Sequence, residues 1–166
     1  SESPVEMLNI IFLGGHALSQ EDNVATLKDY KKMLLAYDPI LNQYFRILYQ
    51  VLKLVAANSP GTNLRNGFTV LALENTEASD TEKFYSNLAR SCVPENVYYL
   101  LAVNCYTEGV SDSYYPYKLL VERYAFFEHM PLIISSNRNQ KLISQFATHY
   151  KPQAFGNNPE YAQLFD

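Results

Sequence analysis

The sequence has no tryptophan, only two cysteines in 166 residues, and no long uncharged apolar run. Each shortage closes off a class of protein. Cys92 and Cys105 are too few for a secreted disulfide scaffold. They lack CxxC spacing and the three histidines are scattered, so no zinc-site pattern exists and no metal is expected. Both cysteines sit among apolar neighbours and are expected to be buried free thiols. No Asn-x-Ser/Thr acceptor occurs. The expected compartment is the cytoplasm, with the nucleus left open. Apolar stretches are broken by Gln, Lys, Arg or Gly well before the ~20 residues that a membrane-crossing helix needs. No basic-then-apolar leader opens the chain. Its start, Ser1-Glu2-Ser3-Pro4, lacks Met and reads as a processed end or an excised piece of a larger parent.

Basic residues are also in short supply. Thirteen Lys and Arg face seventeen Asp and Glu, for a net charge of -4 and a pI of about 5.4. Non-specific nucleic-acid binding draws on dense positive charge, because counterion release drives it. The one basic cluster, Lys28, Lys31 and Lys32, reads as a solvated helix face. Apolar residues, by contrast, reach 48%, with 14 Tyr and 9 Phe. That is far above disordered chains. The length suits one domain, which buries roughly 70% of its unfolded surface. The expected division is a single compact domain over residues 1–151 and a C-terminal tail over 152–166. Gly156, Asn157, Asn158 and Pro159 interrupt regular structure in the tail, while Tyr161, Leu164 and Phe165 offer points for docking.

Apolar spacing changes along the chain. Leu8–Leu13 (LNIIFL) is a short greasy run stopped by Gly14-Gly15, a strand signal. Val24, Leu27, Tyr30, Leu34 and Tyr37 recur at helical steps. From Ile40 to Ala57 the apolar positions Leu41, Tyr44, Phe45, Leu48, Val51, Leu52 and Val55 cover a broad helical arc. Phe68–Leu73 (FTVLAL) is rich in strand formers. Ser79 and Glu82 have capping-box spacing before a stripe of Phe84, Tyr85, Leu88 and Cys92. Val97–Val103 (VYYLLAV) is continuously apolar. A helix follows Pro116, Pro131 stops it, and Leu132–Ile134 is a brief strand-like run. Asn137 and Gln140 repeat the capping-box spacing before Leu142, Ile143, Phe146 and Tyr150.

Strands alternating with helices predict an α/β fold, a parallel-rich sheet of about four strands covered by helices. The alternative is a mostly α-helical bundle in which residues 68–73 and 97–103 are buried helix pieces.

In a parallel sheet, ligands bind beyond the carboxyl ends of the strands. Those ends carry His16, Glu74, Cys105 and Glu108, the candidate catalytic groups: a base, two carboxylates and a thiol. Gly14 and Gly15 permit a close backbone approach. Ser135, Ser136 and Asn137 open a helix where an anion could sit. No HExxH, GxSxG, P-loop, kinase or EF-hand signature occurs, and no cofactor is implied. His129 and His149 lie near helix ends, where a protonated ring is favoured.

Successive rings, notably Tyr114, Tyr115 and Tyr117, cannot all face one core. They are expected to form an exposed aromatic surface that binds protein. The function expected is therefore a non-catalytic protein-interaction domain, its partner being another protein or another region of the parent chain. The alternative is a small α/β hydrolase or transferase for a small anionic substrate. A weaker alternative is binding of single-stranded nucleic acid. No membrane insertion is expected.

Overall fold

The computed structural model describes residues 26–37, 39–134 and 137–165. Among them there is no β-strand. The helices are α1 (Leu27–Tyr37), α2 (Pro39–Asn58), α3 (Val70–Asn75), α4 (Asp80–Ser91), α5 (Val97–Asn104), α6 (Tyr115–Arg123) and α7 (Asn137–His149). Two 3-10 turns follow, at Pro152–Phe155 and Ala162–Phe165. The expected α/β sheet is overturned, and the helical bundle is the correct architecture. Leu8–Leu13 lies outside the described residues.

Three segments expected as strands have other fates. In Phe68–Leu73, Thr69 is the helix N-cap: its hydroxyl accepts the Ala72 N–H at 3.1 Å and starts α3. A β-branched residue there served as a cap, not as a strand former. Val97–Val103 lies within α5, which buries Val97, Tyr98 and every residue from Leu100 to Asn104. A helix apolar on all sides must be enclosed on all sides. Its one-dimensional pattern is then the same as that of a central strand.

Leu132–Ile134 has no regular secondary structure and pairs with no strand among the described residues. The Glu160 carboxylate accepts the Leu132 and Ile133 N–H groups at 2.6 and 3.0 Å. The Gln140 amide accepts from Ile134 N–H and donates to the Leu132 carbonyl, at 3.0 and 2.9 Å. Side chains thus satisfy the backbone where a sheet would have. Gln140 is thus engaged with this segment, while the expected cap at Asn137 lies outside the described side chains.

The centre is built around α5 and α6. Helix α1 packs on α5, α3 on α6, and α2 on both α4 and α6, while the first 3-10 turn packs on α6. Phe45, Phe126, Phe127, Phe146 and Phe155 are fully enclosed. Each such ring contributes roughly 1.5–3 kcal/mol.

Residues after the last helix share this core. Phe127 N–H donates to the Ala154 carbonyl at 2.8 Å. Asn158 Nδ2 donates to the carbonyls of Phe127 and Met130 at 3.1 and 2.8 Å, and Phe155 stacks on Tyr161 at 4.7 Å. Gly156 makes the intervening bend with φ 49°, and a Cβ there would lie 3.0 Å from the Ala125 Cβ. Both facts call for glycine.

Candidate functional site

Helix α4 is inverted. Its apolar stripe was expected to face the core. Instead Phe84 (65%), Leu88 (59%) and Tyr85 (46%) are exposed, while Glu82 (0%) and Arg90 (7%) are buried with Ser86. The buried polar groups are fully engaged. Arg123 Nε and Nη2 reach the two Glu82 oxygens at 3.0 and 3.2 Å. Tyr124 Oη donates to Glu82 at 2.9 Å, and Ser79 N–H at 2.8 Å completes a true capping box. Arg90 Nη1 donates to the Ala125 carbonyl at 2.7 Å and to Glu128 at 2.8 Å. Burial pushes the Glu82 carboxyl up, but the hydrogen bonds from Arg123, Ser79 and Tyr124 and the Arg123 charge bring it below its ordinary value.

Helix α2 presents a matching flank. Leu41, Phe45, Leu48, Leu52 and Ala56 face inward, and Tyr44, Ile47, Val51 and Leu54 are exposed beside them. Helix α2 packs on α4, so the two outward stripes belong to neighbouring helices. The exposed residues around them include uncharged Gln43, Gln50, Asn87 and Ser91 and charged Asp80 and Lys83. At ~150–250 Å² for a whole large side chain, these seven residues expose roughly 600–750 Å². The largest patch on a typical monomer is ~300–600 Å².

The other flank of α2 borders a cavity of about 230 Å³ against α5 and α6. Phe45, Tyr117 and Asn104 form its deep, buried part, and Tyr49 and Tyr114 its aromatic walls. Arg46 and Ser113 stand exposed at its mouth.

The expected site residues do not converge. Gly14, Gly15, His16, Ser135 and Ser136 lie outside the described residues; so does the side chain of Asn137, whose backbone opens α7. With no strand among the described residues, the expected strand-end crevice has no frame. Glu74 on α3 accepts a short hydrogen bond from Tyr115 Oη. Glu108 pairs with Lys28 of α1, both exposed. The two carboxylates therefore have separate partners on separate elements.

Cys105 is fully buried, and burial drives its thiol far above the ordinary range, the reverse of a nucleophile. Cys92, expected buried, is exposed.

Tyr115 and Tyr117 are buried and Tyr114 is half-buried against the core, so these rings do not make the exposed surface expected of them. The basic cluster splits as well. Lys31 is buried, its Nζ 3.5 Å from the Tyr114 ring centroid and 2.6 Å from the Tyr106 carbonyl. His149 is not a protonated helix-end residue. Burial, with the Lys118 and Lys31 charges, lowers it to about 4, and its Nε2 accepts the Thr107 N–H at 3.4 Å. Among the described residues no cluster of three or more His, Cys, Asp or Glu could hold a metal, and no helix is long and apolar enough to cross a membrane.

A family model described as putative phage abortive infection protein matches residues 36–133, more than half of the chain. The chain belongs to this family. The part shared with the abortive infection model carries α2 to α6, and so contains both the outward face and the cavity. Helix α7 and the two 3-10 turns lie beyond it. No curated protein and no solved structure matches the chain.

Sequence reasoning missed the outward face because it assigned every apolar stripe to the core. The signal was present: Glu82, Ser86 and Arg90 recur at four-residue steps, as regular as the apolar stripe. The apolar arc of α2 is also wider than one core contact requires.

Proposed function

We propose that this chain is a non-catalytic protein-interaction domain serving phage abortive infection, and that a second copy of the chain covers its α2–α4 face. The inverted α4 carries this reading. Burying Glu82 and Arg90 while leaving Phe84, Tyr85 and Leu88 in water is costly for an isolated helix. It becomes favourable when another apolar surface closes over the rings. Area supports self-association: two copies of this face would bury roughly 1,200–1,500 Å² in total, within the ~1,200–2,000 Å² of stable interfaces. A two-fold dimer would place two α2–α4 pairs against each other as a four-helix layer. The proposed setting is the cytoplasm, and the proposed working unit is the compact domain over residues 1–151 with the 152–166 segment docked on it.

Sedimentation of the whole chain at ~1–100 μM tests this. The wild type is expected to sediment as a dimer. Ile47→Lys and Leu88→Lys, both at exposed positions, are expected to give monomers with unchanged helical circular dichroism. A wild-type monomer at ~100 μM removes self-association and leaves the face to a different partner. A dimer indifferent to both lysines places the interface elsewhere.

A further inference from the structure

We draw no further inference here: the strongest candidate, the polar cleft between α3, α6 and the first 3-10 turn, lined by Glu74, Glu77, Lys83, Glu122 and Lys151, carries nothing because its one buried carboxylate, Glu122, is already held by Lys118 and the Lys151 N–H, the other four side chains are exposed, and nothing in the structure shows what fills it.

Discussion

Glu82→Gln tests the central claim about α4, that its polar face belongs inside. The substitution keeps the shape of the side chain and removes its charge. Arg123 would then remain 3% exposed with no carboxylate opposite it. An NH₂ group would also stand where an acceptor met the Arg123, Tyr124 and Ser79 donors. Breaking a buried pair from one side typically costs about 3–5 kcal/mol. For a chain of this size each kcal/mol lowers the melting temperature by ~2–4 °C, so the loss should be roughly 6–20 °C. Replacing both partners, Glu82→Met with Arg123→Met, leaves no stranded charge and should cost less than Glu82→Gln alone.

The pH dependence follows from the same pair. Folding holds the Glu82 carboxyl below its ordinary value of 4.5. Its contribution is therefore fully present above that value and is lost as the pH falls through the lower folded-state value. Glu128, facing Arg90, behaves in the same sense. Urea midpoints measured from pH 7 to pH 3 should fall on the acid side for the wild type and more shallowly for Glu82→Gln. If Glu82→Gln cost less than ~1 kcal/mol, the pair would be a solvated surface bridge and the inverted helix would be wrong.

Three further outcomes are expected. His149 is held at about 4 against an ordinary value of 6.5, so the unfolded chain takes up its proton first. Stability should thus decline from near pH 6.5 toward pH 4, and His149→Gln should flatten that portion of the urea series. An aromatic disulfide reagent should titrate one thiol rapidly in the native protein, exposed Cys92, and reach Cys105 only in denaturant. Two fast thiols would show that the α5 terminus is not closed. Asn158→Ala removes both donors to the Phe127 and Met130 carbonyls. It should cost about 1–3 kcal/mol and raise hydrogen exchange after residue 152, whereas unchanged exchange would mean that the ring contacts alone hold the segment.

Much of the helix pattern was legible in the chain. The three- and four-residue steps of α2 and α7, the Ser79–Glu82 cap and Pro116 in the first turn of α6 all describe local geometry, which nearby residues decide. The three misread segments were ambiguous for a reason that local sequence cannot remove. Seven apolar residues in a row are the same string whether they are a central strand or a helix enclosed on every side. The difference lies in what surrounds them, and for α5 that is α1 and the rest of the core. Leu132–Ile134 looked like a strand because it is a brief apolar run, but Glu160 and Gln140 from elsewhere in the chain take the hydrogen bonds that a neighbouring strand would have made.

The candidate site was less legible still. Tyr114 to Tyr117 stood out by density, yet burial depends on which neighbours close over each ring, and Tyr117 borders a cavity that requires α2 and α5 to be in place. Composition by itself determined that the chain could fill a large core, that its cysteines are too few to form a disulfide framework, and that its charge does not favour polyanions. Those are sums over residues and need no coordinates. Tertiary structure alone decided which side of α4 faces water. Glu82 and Arg90 can be buried only where Arg123, Tyr124, Glu128 and the Ala125 carbonyl supply charge and hydrogen bonds to offset the loss of water, and those partners lie more than thirty residues away along the chain.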